Sequence, residues 1–209
     1  SLIASANQHE RISRPEHATE AGRGLGHFHR IVSDLPTDGL VDTLPGFHIT
    51  PNYLRIFDDR CRSREARERI GASVEATRLV EMIETRREFV TILEDARESG
   101  ELSPRPIHGD PKITNVMIDS LTGKGTAIVD LDTVKPGLIH YDFGDAVRSG
   151  CNPAGEETTN LDEVFLDLAL FESFVRGYRI EAGPFLSDAD ERYLYDSIRL
   201  IAFELGLRF

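Results

Sequence analysis

The segment His108-Gly109-Asp110-Pro111-Lys112-Ile113-Thr114-Asn115 gathers a carboxylate, an ammonium group and a carboxamide in one short stretch. An H-x-D-x-x-x-x-N loop of this kind suits transfer of a phosphoryl group from ATP. Its carboxylate orients the attacking hydroxyl, and its amide oxygen helps hold Mg²⁺ against the phosphates. Two β-type runs follow, Val116-Met117-Ile118 and Ala127-Ile128-Val129, and the turn-rich residues 119–125 between them predict a β-hairpin. The hairpin returns the chain to the loop and delivers Asp130 there. The expected roles are Asp110 at the acceptor hydroxyl, Asn115 and Asp130 on the metal, and Lys112 at the transferring group. The bland reading, a capped turn and a hairpin ending in an exposed acid, must explain all four polar positions separately.

Helices are expected to position this loop. Residues 16–33 repeat apolar side chains at three- and four-residue steps, Ala18, Ala21, Leu25, Phe28 and Val32. Residues 34–60, rich in Pro, Gly, Asp and Thr, read as an irregular connection. Residues 62–98 read as a long charged helical stretch, one helix or two, with a stripe of Ile70, Val74, Val80, Ile83, Val90 and Leu93. Ser99-Gly100 ends it. Towards the C-terminus, one stripe runs Leu161, Phe165, Leu168, Phe171, Val175, Tyr178 and another Leu194, Ile198, Ile201, Leu205. Ser187 with Asp190 opens the second as a capping-box variant.

The 209 residues suffice for one domain with a substantial core. A net charge of -12 speaks against nucleic acid as a partner. It also requires ATP phosphates to be neutralised locally, by divalent metal and a few Lys or Arg. No apolar run approaches the ~20 residues of a membrane-spanning helix. No secretory signal is visible, and two cysteines are too few for a disulfide framework or zinc cage, which makes a reducing cytoplasm the default location. No five-strand run exists, as an ATP-binding lobe would need, and residue 1 is not Met. The expectation is a piece of a longer protein.

Several other patterns compete. Asp142-Phe143-Gly144 spells a kinase metal motif, but no strand leads into it, so Asp142 is expected to be a buried structural acid bonded to backbone amides near the loop, close to His108. Asp132 is the second choice for metal, because alternation along a strand would point it like Asp130. Gly22-Arg23-Gly24-Leu25-Gly26 lacks a preceding strand and is read as small residues that let helices approach, not as a phosphate turn. Cys61 with Arg67 fits C-x5-R, but the charged, helical residues between them do not suit a phosphate-wrapping loop. His27 and His29, two positions apart on a helix, point to different sides and are read as packing or surface residues. The acids and arginines of 62–98 are a solvated face or, alternatively, part of an acceptor-binding surface.

The loop through Met117 resembles the aminoglycoside phosphotransferase and choline kinase superfamily. So do residues 129–138 (Val-Asp-Leu-Asp-Thr-Val-Lys-Pro-Gly-Leu) and 141–148 (Tyr-Asp-Phe-Gly-Asp-Ala-Val-Arg). Leu25-Gly26-His27-Phe28-His29, Leu44-Pro45-Gly46-Phe47-His48 and residues 204–209 bring the likeness closer to the N-acetylhexosamine 1-kinases. The resemblance implies an α+β, protein-kinase-like C-terminal lobe over residues 1–209, mainly helical with a catalytic loop and hairpin, and without the N-terminal ATP-binding lobe. It implies Asp110 as catalytic base that also positions the sugar, Asn115 and Asp130 as Mg²⁺ ligands, and Arg208 near the sugar pocket. The implied activity is phosphorylation of the anomeric hydroxyl of an N-acetylhexosamine or related sugar. Two alternatives stand beside it: a kinase of the same superfamily acting on an aminoglycoside, choline-like amine or hydroxy-amino acid, and a non-catalytic binding lobe.

Overall fold

The computed structural model describes residues 3, 6–9, 11–156 and 158–208. Pro15, whose missing N–H costs nothing in a first turn, opens helix α1 (Pro15–Val32). Its buried face carries Ala18, Ala21, Leu25 and Phe28, as the spacing predicts. Helix α7 (Leu168–Ala182) crosses α1 with the two backbones in contact. A Cβ on Gly22 would lie 2.1 Å from the Phe174 carbonyl oxygen, and one on Gly177 would lie 2.0 Å from that of Thr19. Gly26 is similarly pressed against Tyr178 O, at 2.7 Å, whereas Gly24 faces only the Val116 side chain at 3.5 Å. The small-residue reading of this segment therefore holds at Gly22 and Gly26.

The stripe expected from Leu161 onward holds only in its second half, where Phe171 and Val175 pack against the core and Tyr178 is buried. Asp167 accepts from the amides of Ala169 (2.9 Å) and Leu170 (3.1 Å) and so starts α7 late. Leu161, Phe165 and Leu168 are exposed, and the buried face is Leu170, Ser173, Phe174, Gly177, Tyr178 and Ala182. The glycine contact at position 177, not the apolar count, sets which side of α7 faces inward.

Residues 34–60 are only partly irregular. Thr50–Cys61 forms helix α2, and Pro51 sits in its first turn, where the missing N–H costs nothing. Residues 62–98 divide into α3 (Arg64–Gly71), α4 (Val74–Glu84) and α5 (Ile92–Glu98). Ser63 caps the start of α3 and Ser73 that of α4 by accepting from the amides of Ala66 and Ala76. Of the expected stripe, Ile83, Val90 and Leu93 are buried, while Val74 is exposed. Nothing on α3 is buried.

The hairpin forms as predicted. Strands β3 (Val116–Asp119) and β4 (Gly125–Ile128) pair antiparallel, and β1 (Ala6–Asn7) adds to the other edge of β3. The Asp119 carboxylate organises the turn by accepting from the amides of Leu121 (3.0 Å) and Thr122 (2.7 Å). A separate two-stranded sheet joins β2 (Arg105–Ile107) to β5 (Lys135–Gly137). Strands β1, β2 and β5 are too short for alternation to show in sequence, and two of them contain proline.

Helix α6 (Ile139–Gly150) is buried along nearly its whole length between two apolar clusters. One joins α1, α7 and the hairpin, and the other joins α5, β2 and helix α8 (Asp188–Arg208). The box at the start of α8 closes as expected, with Asp190 N–H donating to Ser187 Oγ (3.0 Å) and Ser187 N–H to Asp190 Oδ2 (2.8 Å). The architecture is α+β and mainly helical. No described helix is long and apolar enough to cross a membrane.

Two tests follow from this packing. Gly22→Ala is expected to destabilise the fold by about 1–3 kcal/mol through overpacking, whereas Gly24→Ala should be neutral or stabilising, as helix propensity favours; urea titrations of both variants check the contrast. His140 supplies a pH dependence. Burial lowers its pKa from 6.5 to about 4, opposed by its bond to the Asp190 carbonyl (2.9 Å). The unfolded chain therefore binds the proton more readily, so this stabilising contribution is complete above pH 6.5 and lost as pH falls towards about 4. Melting temperature should drop across that interval, and less steeply in His140→Gln.

Candidate active site

The loop after β2 is held by its own backbone groups. Asp142, fully buried in the first turn of α6, accepts from the amides of His108 (2.6 Å) and Gly109 (2.8 Å). His29 of α1 donates its Nε2–H to Asp142 Oδ2 (2.9 Å), and its Nδ1 meets the Tyr178 hydroxyl of α7 at 2.9 Å. Burial works to raise the Asp142 pKa, but the His29 bond, the nearby histidine charges and the loop amides outweigh it and hold the pKa below its ordinary value. Thr133 donates its hydroxyl to the His108 carbonyl (2.7 Å). Gly109 has φ +87° and a Cβ there would lie 2.5 Å from Thr133 O, so only glycine fits. The His108 ring closes the loop on itself. Its Nδ1 accepts from Asp110 N–H (3.3 Å), which leaves Nε2–H to donate to Val129 O (3.0 Å).

Asp110, Lys112 and Asn115 are joined within the loop, and the Asp130 charge reaches Lys112. Lys112 Nζ lies 2.7 Å from Asp110 Oδ2. The Lys112 pKa is raised by that bond, against partial burial, and then by the charges of Asp110, Asp130 and Glu156. Asn115, buried on a 3-10 turn, donates Nδ2–H to Asp110 O (2.8 Å), and its Oδ1 is the accepting end of the amide. Val129 N–H donates to Asn115 O (2.9 Å) and so delivers Asp130 next to Asn115. Asp130 lies two residues past β4, with a left-handed backbone at φ +67°, a state that Asp tolerates better than most residues. That bend turns the chain out of the hairpin into the 3-10 turn Leu131–Thr133. Alternation along a strand therefore does not apply to Asp132, an exposed turn residue whose carbonyl accepts from Thr43 (3.3 Å).

Among the described residues, no three His, Cys, Asp or Glu side chains form a group that could hold a metal by themselves. The donors present, one amide oxygen and one carboxylate, fit an ion such as Mg²⁺, which keeps several waters and takes its remaining ligands from phosphates.

Arg208 lies in the last turn of α8, its guanidinium carbon 4.9 Å from the Phe47 ring centre and 5.6 Å from that of Tyr53. Its Nη1 is 4.0 Å from Glu204 Oε1. It borders the loop through Glu204 and His48, because His48 Nδ1 lies 3.1 Å from Glu204 Oε1 and His48 Nε2 lies 3.2 Å from Gly109 O. A cleft of about 560 Å³ adjoins this corner, bordered by Asp42, Phe47, Asn52, Arg97, Lys135 and Tyr141.

Sequence reasoning missed His48, Glu204 and Thr133, and it read His29 as packing or surface. His27 and His29 do diverge, His27 to an exposed site near Glu181 and His29 to the core. The signal for His29 was present, since it falls four residues after the buried Leu25 on the apolar face of α1. Glu156, joined through Arg148 to the buried Asp145, is a further acid near Lys112. Burial raises the Asp145 pKa against the Arg148 charge.

Asp142→Asn places an NH₂ group against a loop amide and leaves buried donors unpaired. We expect a loss of about 3 kcal/mol or more in urea unfolding, together with faster hydrogen exchange at the His108 and Gly109 amides.

A family model described as "Phosphotransferase enzyme family" (APH) matches residues 3–182. Among solved structures, the microcompartment-associated aminopropanol kinase is 21% identical with a TM-score of 0.61, and the match covers 99% of this chain and 57% of that one. The Plasmodium vivax ethanolamine kinase is 13% identical with a TM-score of 0.56, covering 100% of this chain and 57% of that one. These likenesses are of fold, and the chain spans a little over half the length of either protein.

Proposed function

This chain belongs to the phosphotransferase enzyme family, and from that premise we propose that it is the C-terminal, acceptor-binding and catalytic lobe of an ATP-dependent kinase acting on a hydroxyl group. The convergence of Asp110, Lys112, Asn115 and Asp130 around one clamped loop carries the reading. In it, Asp110 accepts a hydrogen bond from the acceptor hydroxyl and receives its proton as oxygen attacks the γ-phosphorus and the bond to the bridging oxygen of ADP breaks. Asn115 Oδ1 and the Asp130 carboxylate would hold Mg²⁺, which when bound supplies charge neutralisation on the phosphates. Lys112, paired with Asp110 at 2.7 Å, sets an ammonium charge beside the transfer path. Positioning and electrostatics, rather than a strong base, provide the acceleration.

The finer reading is a sugar acceptor, phosphorylated at the anomeric hydroxyl of an N-acetylhexosamine. It is supported by the likeness of residues 25–29, 44–48 and 204–209 to that subgroup. It is also supported by the mixed lining of the 560 Å³ cleft, where aromatic faces stand beside a carboxylate and an amide. A second reading, a cationic amino alcohol or aminoglycoside, is favoured by the net charge of -12 and by the amino-alcohol kinases that share the fold.

The full-length protein, assayed with ATP and Mg²⁺ against N-acetylhexosamines, neutral hexoses, amino alcohols and aminoglycosides, separates the two. Turnover of the cationic acceptors alone would sink the sugar reading. Asp110→Asn is expected to lower kcat by about 10²–10⁴ with an unchanged melting temperature, and near-normal turnover in that variant would remove Asp110 from the chemistry.

A further inference from the structure

We propose that His48 is a positioning residue for Asp110, held as a doubly protonated imidazolium between the carboxylate of Glu204 and the carbonyl of Gly109. The proposal rests on the reading of Asp110 as the group that orients the acceptor.

Both ring nitrogens of His48 face atoms that only accept. Gly109 O, at 3.2 Å from Nε2, carries no hydrogen. Glu204 Oε1, at 3.1 Å from Nδ1, belongs to a fully buried carboxylate whose other oxygen takes the Thr50 hydroxyl at 2.9 Å. A neutral imidazole has one N–H and would leave one of these contacts as two facing lone pairs, inside a site where His48 is 2% exposed. The charged groups around the ring agree. Glu204 faces it from α8, and Asp145 and Tyr141 from α6, while the Tyr53 hydroxyl of α2 bonds the His48 backbone; Arg208 and Thr50 lie on the Glu204 carboxylate. Burial alone would strip the proton. The bond to Glu204, the charges of Glu204 and Asp145, and the Gly109 carbonyl outweigh it, and the pKa lies above its ordinary value.

The arrangement is built at some expense to the backbone. His48 has φ +65°, a state that ordinary side chains avoid. Its ring stacks on Tyr141 at 5.9 Å and lies 4.0 Å from the Phe47 ring, so the side chain is fixed from two sides. The Gly109 carbonyl belongs to the peptide that leads directly into Asp110. Asp142 holds the amides of His108 and Gly109, and His48 holds the carbonyl on the other side of the glycine. Without the His48 tie, that peptide keeps only the long bond from Asp110 N–H to His108 Nδ1 (3.3 Å), and the Asp110 carboxylate can shift out of line while the fold stays intact.

Two-bond ¹H–¹⁵N correlation spectra of the full-length protein with ¹⁵N-labelled histidine read the ring directly. We expect both His48 nitrogens protonated at pH 8; the pattern of a neutral tautomer there overturns the proposal. In Glu204→Gln the ring can accept from the new amide and still donate to Gly109, so it should titrate near its ordinary range and kcat should fall only modestly. His48→Gln cannot satisfy both partners, and kcat should fall about 10²-fold, as a displaced catalytic group implies, with KM for ATP and acceptor little changed. A folded His48→Gln protein with unchanged kcat, or with the loss confined to KM, also overturns it. If His48→Gln does not fold, the ring spectrum and Glu204→Gln still decide. Asp110→Asn is measured alongside. Activity in that variant breaks the reading beneath the proposal, whereas an inactive Asp110→Asn beside a normal His48→Gln breaks the proposal alone.

Discussion

A buried carboxylate that accepts two consecutive backbone amides is the constraint from which the rest of this structure follows. Asp142 is removed from water, so it must be fully hydrogen-bonded or the fold would suffer a penalty of several kcal/mol. Three of its bonds are to His108 N–H, Gly109 N–H and His29. The first two fix the loop. The third requires α1 to lie close above α6, and the Tyr178 hydroxyl on His29 requires α7 to lie close to α1. Helices bring side chains this deep only where their axes are near, which is what Gly22, Gly26 and Gly177 permit. A glycine contact between two helices and the position of the 108–115 loop are therefore one structural requirement seen at two places.

The loop is polarised across its width. An anion holds its N–H groups and a histidine its carbonyl, while Thr133 and the His108 ring close the remaining bonds. What is left outside this cage is the part with chemistry in it: the Asp110 carboxylate, the Lys112 ammonium, the Asn115 amide oxygen and the Asp130 carboxylate. Fixing the backbone while Asp110, Lys112 and Asp130 stay at least partly exposed lets an acidic chain keep these charges near one another. The repulsion between Asp110 and Asp130 is opposed by Lys112, which feels both.

The site was legible in the sequence where local chemistry defined it. The loop, the hairpin and its Asp119 turn, the Ser187–Asp190 cap and the close helix approach at Gly22 and Gly26 depend on residues near one another in the chain, and their spacing carries the information. The supports were not legible in the same way. His29 reaches Asp142 across 113 positions and His48 reaches Glu204 across 156, and nothing local distinguishes such a histidine from one that merely packs. Helix α2 was hidden because Pro51 breaks a helix interior but suits a first turn. The start of α7 was hidden because Asp167, not the apolar pattern, begins it. Strands β2 and β5 have no periodicity to find, since each is three residues long and exists through its partner.

The tie from Gly109 through His48 to Glu204 also has a consequence for the order of events during synthesis. The chemistry-bearing loop leaves the ribosome about midway through this chain, and the helix that completes its support leaves at the very end of it. Until residue 204 has emerged and docked, His48 lacks its carboxylate partner and the Gly109 carbonyl has no fixed donor. A nascent chain can thus carry Asp110, Lys112, Asn115 and Asp130 and still lack the support of the loop until α8 docks.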